Sequence, residues 1–258
     1  SLIGPVVGAF MIDHVSWHWG FIGIALLATL SWFGLKAKMP EQHVSIPKQP
    51  LSYVWDDFKA VFRNKRFMAL SLSLPLVSIP LILWIAMSPV ILVEQLGLTN
   101  MQYGLAQVPV LGALILGNIV LIRVIDRLAL GRTVMLALPL MLIGTLIVIA
   151  GVIWQEYMLW CLVLGMTLIS FGEGCSFSVL YRFSLSASEV SKGTVAAAVG
   201  MIMMVAFFVV IEIVRILYGH FDMWAYALAC FALIAVWFTV PRSVVKSIMQ
   251  ERAMSGQF

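Results

Sequence analysis

Charged side chains are so sparse in this sequence that each one inside an apolar run is a candidate for chemistry. Glu173 stands in the middle of such a run, as Gly172-Glu173-Gly174, followed by Cys175, Ser176 and Ser178, with no basic residue one helical turn away. A carboxyl far from water and without a cation is expected to hold its proton much of the time. That suits a group that takes up a proton or a cationic ligand and later releases it, and ionisable groups at membrane depth are functional by default. The plainer alternative is a permanently neutral Glu satisfied by a neighbouring hydroxyl. Glu212 and Arg215 stand three residues apart, on one helical face where opposite charges pair, and read as a structural or gating ion pair. Arg182 closes the same run as Glu173, nine residues further on, or about 13 Å along a helix. It either snorkels to headgroups or makes a gate contact at that end. Asp126 with Arg123 and Arg127 reads as a structural charge cluster at a helix end. The histidines, His14, His18, His43 and His220, lie in loops or at helix ends. None pairs with Ser, Asp or Glu in an acid–base or metal arrangement, which excludes a membrane-embedded enzyme. Cys161, Cys175 and Cys230 lack metal-ligand spacing and read as small core residues. No metal and no cofactor is expected.

The elements that must position these groups follow from composition. Of 258 residues, 62% are hydrophobic and 11% charged, against roughly 25% charged in an ordinary soluble domain. The mean hydropathy is +1.03. No water-soluble fold of this size could cover that much apolar surface, so a soluble enzyme, a nucleic-acid binder and a disordered linker are excluded. A bilayer crossing takes about 20 largely apolar residues. Seven segments meet that length, at about 19–36, 67–93, 103–125, 133–154, 157–181, 194–217 and 223–241. Leu2 to Ile12 is apolar but covers roughly half a crossing. It lacks the flanks of a signal peptide and is expected to be a helix cut in the middle, the chain being the C-terminal part of a longer protein.

Lys and Arg set the orientation. Fifteen of the 16 fall in the segments 36–66, 123–132 and 182–193 and in the tail, all on one expected side, and the sixteenth is Arg215. The opposite loops hold none, so the basic side, with the C-terminus, is expected to be cytoplasmic. In the long connection 37–66, Pro40, Pro47 and Pro50 oppose helix. From Leu51 the apolar residues Val54, Trp55, Phe58, Val61 and Phe62 recur at helical spacing, with Lys59, Arg63, Lys65 and Arg66 beside them. That predicts a short amphipathic helix on the cytoplasmic leaflet, near anionic lipid. The expected organisation is 1–36 as two helices, the first truncated; 37–66 as the loop; 67–244 as six helices; and 245–258 as a cytoplasmic tail.

Such a bundle fits a transporter or a seven-helix receptor. The receptor topology matches but leaves the half-helix unexplained, and no span carries a lysine for retinal. Helix breakers favour the transporter: Pro75, Pro80, Pro89, Pro109 and Pro139 fall inside spans, and broken helices are tolerated at depth where they line a cavity or move. For any single glycine or proline, close helix packing is the better expectation. Trp84, Met87, Met201, Met203, Met204, Phe207 and Phe208 offer soft, adaptable surface for varied ligands.

Several motifs then resemble a family. Gly4-Pro5-Val6-Val7-Gly8 is similar to the end of the antiporter motif of major facilitator superfamily drug–proton antiporters, and Asp126-Arg127 with Gly131-Arg132 to the superfamily's loop motif at wider spacing. Gln107-Val108-Pro109, Trp84-Ile85-Ala86 with Ser88-Pro89, Ser191-Lys192-Gly193-Thr194-Val195 and Ile211-Glu212-Ile213 resemble the MdfA/Cmr-like multidrug and chloramphenicol exporters over nearly the whole chain. The resemblance implies an all-α integral membrane bundle, with the C-terminal six-helix half and the last two helices of the N-terminal half present. It implies export of lipophilic neutral or cationic drugs in exchange for protons by alternating access, from a bacterial inner membrane. By position, Leu81, Ile82, Trp84, Ile85, Leu111, Leu114, Gly200, Met204 and Phe207 would face the drug cavity, with Glu173 added from its own chemistry. Arg182 and Lys192 match basic positions of the cytoplasmic side. Glu173 falls where the family's namesake carries an apolar residue, and Met204 replaces an aromatic. The expected partners are drugs, protons, membrane lipid and the missing N-terminal half, with no nucleic acid, in a monomer. A metabolite-importing facilitator is the nearer alternative, disfavoured by the antiporter motif.

Overall fold

The computed structural model describes residues 4, 7–8, 10, 18–38, 51–124 and 130–254. Among these the chain is helical and contains no strand. The elements are α1 (His18–Lys38), α2 (Leu51–Arg63), α3 (Lys65–Ser88), α4 (Asn100–Val124), α5 (Leu130–Ile153), α6 (Met158–Ser186), α7 (Lys192–Phe221) and α8 (Met223–Met254). A π-helical stretch, Pro89–Gln95, continues α3, and a 3₁₀ turn, Gln155–Tyr157, precedes α6. Among the described residues six helices are long and apolar enough to cross a membrane, and Met223–Thr239 of α8 is a shorter apolar stretch.

Local chemistry sets the helix starts. Asn64 Oδ1 accepts the backbone N–H groups of Arg66 at 3.0 Å and Phe67 at 3.1 Å, capping α3. Its Nδ2 donates to the Ala187 carbonyl at 2.8 Å, tying the start of α3 to the end of α6. Thr99 and Gln102 close a reciprocal capping box at α4: Gln102 N–H donates to Thr99 Oγ1 at 3.2 Å, and Thr99 N–H to Gln102 Oε1 at 2.9 Å. Gly97, at φ +68, makes the left-handed turn before it. Ser191 Oγ accepts the Thr194 N–H at 3.3 Å to start α7.

The bundle is wound around α6, which packs against α3, α4 and α5; α8 closes the opposite side against α3 and α5, and α7 lies on α3 and α8. Glycines set the closest crossings. A Cβ on Gly144 would lie 2.7 Å from the Gly165 carbonyl oxygen, and one on Gly165 would lie 2.6 Å from the Gly144 carbonyl oxygen, so α5 and α6 touch backbone to backbone. Gly117 and Gly174 do the same for α4 and α6. Lipid tails give helices no hydrophobic reason to associate, so close approach of small residues supplies the contact instead. Large apolar side chains on the outside, such as Trp160, Leu136 and Phe208, suit a lipid surround rather than water.

Pro75, Pro80, Pro109 and Pro139 do not break their helices, which run through them; only Pro89 coincides with a change, from α to π. Neighbouring groups can re-satisfy the freed carbonyls in a membrane bundle, so proline need not stop a helix there. α8 continues past residue 245, where the tail is expected to begin, to Met254. The amphipathic helix of the long connection forms at Leu51–Arg63, and the helix after it begins at Lys65 rather than 67. No residue of α1 is buried.

Candidate functional site

Glu173 sits near the middle of α6 (Met158–Ser186), about 20 Å from either end. Its neighbours in sequence explain its direction. Gly172 faces α5, where a Cβ would collide with Met141 and meet the Ala137 carbonyl at 3.3 Å, and Gly174 faces α4 against Gly117 Cα at 3.1 Å. The small residues let α4 and α5 close on both flanks, and the Glu side chain between them turns toward α3. There Ser78 is the polar side chain that approaches the carboxyl.

The surroundings are polar but unfilled. Glu173 is 7% exposed, and Ser71, Ser78, Ser170 and Ser176 are buried. Ser170 and Ser176 stand one turn to either side of Glu173 on α6, and Ser71 and Ser78 are two turns apart on α3. Glu173 Oε2 and the hydroxyls of Ser71, Ser170 and Ser176 lack a hydrogen-bond partner among the described residues, and Ser78 is the hydroxyl that reaches the carboxyl. No ion pair among the described residues involves Glu173, so the absence of a nearby cation expected from sequence extends to the neighbouring helices. Buried polar groups of this kind are ordinarily satisfied by protein or water. Ser71, Ser78 and Ser170 went unnoticed in the sequence, although their seven- and three-residue spacings would have placed them on one face each.

A second polar group lies further along α3. Trp84 Nε1 donates to Gln107 Oε1 at 2.6 Å, and Gln107 Nε2 donates to Ser88 Oγ at 2.9 Å. All three are buried, and the chain ties α3 to α4 just before the π-helical stretch. At the far end of that stretch, Tyr218 Oη of α7 donates to Gln95 Oε1 at 2.5 Å.

The residues expected to face a drug cavity divide into two groups. Ile85 and Met204 are 50% and 68% exposed, and Gly200 is also open, whereas Ile82, Leu114 and Phe207 are half-buried. Leu81, Trp84 and Leu111 are buried in the bundle's own core. The indole N–H of Trp84 explains its inward turn, since Gln107 satisfies it there. Glu173 likewise lies between helices and not on the open face.

The remaining charges stand as follows. Arg215 donates from Nε and Nη2 to the two carboxylate oxygens of Glu212 at 3.1 and 2.6 Å, a bidentate pair on the exposed side of α7. Lys192 Nζ donates to the Leu185 carbonyl at 2.7 Å, closing an end carbonyl of α6. Arg182 is exposed at the same end. Gly4 and Gly8 are helical, and Pro5, Asp126 and Arg127 lie outside the described residues. Among the described residues no three His, Cys, Asp or Glu side chains are grouped to hold a metal.

Membrane-length helices wound on a central helix with a buried carboxyl define a polytopic α-helical membrane protein. The Major Facilitator Superfamily profile matches residues 1–211, and the chain belongs to that superfamily. It is 65% identical over 251 residues to the chloramphenicol resistance protein CraA of Acinetobacter baumannii, covering 97% of this chain and 61% of that protein. It is 40% identical over 213 residues to the multidrug transporter MdfA of Escherichia coli O157:H7, covering 82% of this chain and 52% of the relative. The MdfA of Yersinia pestis is 37% identical over 219 residues, covering 84% of this chain and 53% of the relative. The chain thus spans between half and two thirds of the length of these relatives.

Proposed function

We propose that this chain forms the C-terminal part of a proton-driven multidrug exporter of the bacterial inner membrane, a transporter and not an enzyme. Its substrates are lipophilic neutral or cationic drugs, chloramphenicol among them, bound between two halves that open alternately to each side. The 65% identical chloramphenicol resistance protein and the 40% identical multidrug transporter support the substrate class. On this reading residues 67–244 make the C-terminal half, 37–66 join it to the N-terminal half, and 1–36 are that half's last two helices. The concentration of Lys and Arg on one side supports a cytoplasmic C-terminus. The transporter works as a monomer with lipid around it and needs no cofactor or nucleic acid. Ile85, Gly200 and Met204, open to the outside of this bundle, contribute to the drug surface, with Ile82, Leu114 and Phe207 behind them. Glu212–Arg215, Arg182 and Lys192 hold helix ends during the switch, and Gly4, Pro5, Gly8, Asp126 and Arg127 serve the conformational motifs.

Glu173 carries the mechanistic part of the proposal. Its carboxyl, at mid-helix with Oε2 unpartnered, Ser78 beside it and Ser170 and Ser176 one turn to either side, is tolerated in neutral form when the bundle is closed. An ionised carboxylate there would cost a few kcal/mol or more without water or a cation. Opening of the bundle admits water or a cationic drug and lets the proton leave. Closing restores it. The test is export of chloramphenicol and of a fluorescent cationic dye from cells carrying the complete transporter, as parent and as Glu173→Gln, with and without an uncoupler. Uncoupler-sensitive export that the substitution abolishes is the expected result. Uncoupler-sensitive export that survives it makes Glu173 a neutral packing group. Saturable ligand binding with no export and no gradient dependence would instead mark a receptor, and inward movement of a metabolite would mark an importing facilitator.

A further inference from the structure

The amphipathic helix α2 does not lie flat on the bundle. Val61 is buried and Phe58 half-buried, but Trp55 and Phe62 stay exposed, and between α2 and Met201 of α7 an apolar groove of about 510 Å³ remains. That size falls within the roughly 300–1,000 Å³ of small-molecule pockets. Lys59 and Arg63 stand on its rim. Lys59 Nζ lies 5.8 Å over the Trp55 ring and 3.4 Å from Asp56 Oδ1, so its charge is held beside the aromatic wall, and Arg63 is exposed. Lys65 and Arg66 follow directly, giving four basic residues against Asp56 and Asp57 over 51–66, with the acids toward the start of α2 and the bases toward its end.

We propose that this groove binds one anionic phospholipid, its acyl chain lying along Trp55, Phe58 and Met201 and its phosphate held by Lys59 and Arg63. The two halves of the site require one amphiphilic anion. A neutral or cationic drug gains nothing from a basic rim, and a free phosphate gains nothing from the aromatic wall. The charged rim at the surface end of a membrane helix is where anionic headgroups accumulate. A lipid seated there bridges α2 to α7, which the protein itself joins only along one side of α2.

The purified protein in detergent, titrated with phosphatidylglycerol or phosphatidylcholine of identical chains and examined by native mass spectrometry, tests this. The expected result is a preference of roughly tenfold or more for phosphatidylglycerol, lost in Lys59→Gln/Arg63→Gln and kept in the control Lys36→Gln/Lys38→Gln on α1. Met201→Trp, which fills the groove and leaves the rim charges in place, should lower retention of both lipids. Equal retention of the two lipids by the parent, or an unchanged preference in Lys59→Gln/Arg63→Gln, would overturn the assignment. So would displacement of the retained lipid by a cationic dye at equal concentration, which would make the groove a drug site.

Discussion

The crossing of α4 and α6 gives the sharpest mechanical prediction, because every atom that a new methyl group would meet there is backbone. A Cβ on Gly117 would fall inside the van der Waals limit of the Phe171 carbonyl oxygen and lie 3.1 Å from Gly174 Cα and 3.2 Å from Cys175 N. Gly174 presents the reciprocal case, 3.1 Å from Asn118 N and 3.1 Å from Gly117 Cα. No rotamer can relieve these contacts, so Gly117→Ala must push two helices apart. That loosens Cys175 Sγ from the Gly117 carbonyl, now 3.4 Å away, and Ser178 from Asn118. Overpacking of this kind costs about 1–3 kcal/mol, partly offset by the roughly 0.5–1 kcal/mol that Ala gains over Gly in a helix. At about 2–4 °C per kcal/mol for a chain of this size, Tm should fall by several degrees. Gly219→Ala is the control, since a Cβ there meets nothing within 4 Å, and it should leave Tm unchanged or raise it. Thermal unfolding in detergent, followed by tryptophan fluorescence, measures both. Equal Tm values for the two variants would refute the backbone contact between α4 and α6.

Further outcomes follow from the polar groups. Gln107→Leu leaves the buried Trp84 indole N–H unpaired and should lower stability by about 1–3 kcal/mol in the same melt, whereas Trp84→Phe/Gln107→Leu, which removes the orphaned donor too, should lose less than the sum of the two single changes. Asn64→Ala removes both the cap of α3 and the tie to Ala187, and should cost about 1–2 kcal/mol, seen as faster proteolysis at 186–193. Glu212→Gln alone should reduce the folded yield more than Glu212→Gln/Arg215→Gln, because only the single change leaves Arg215 without its partner at the apolar surface; yields from fluorescence-detected size exclusion decide it.

How much of this was legible in the sequence depended on which signal a residue sends. Six of the seven expected spans were readable because the bilayer imposes a length and a composition, and the seventh, 223–241, is the shorter apolar stretch Met223–Thr239. The amphipathic α2 was readable because its apolar residues and its charges segregate. Glu212 and Arg215 could be paired from spacing alone, since an i, i+3 contact is built into any helix. Facing was not readable. The spans are apolar on all sides, so no periodicity separates Leu81 and Leu111, which are buried, from Met204, which is open. The conformation at Pro109 was unreadable for a related reason: it depends on neighbouring helices that sequence spacing does not contain. Glycines spoke more plainly, and the expectation of close packing matches Gly117, Gly144 and Gly174. The surroundings of Glu173 were half legible. Its isolation from basic residues on its own helix was plain, but Ser78, 95 residues away in sequence, becomes its neighbour only when α3 packs on α6.

The central claim is that Glu173 binds and releases a proton in an exporter, and proton release on drug binding tests it most directly. Purified complete transporter in weakly buffered detergent solution would be mixed with chloramphenicol, or with a cationic dye, and the pH change recorded beside the bound drug. The account predicts that drug binding releases protons from the parent and fewer from Glu173→Gln at equal drug occupancy. Equal proton release from the two proteins would contradict it and leave Glu173 as a buried neutral group in the packing of α6.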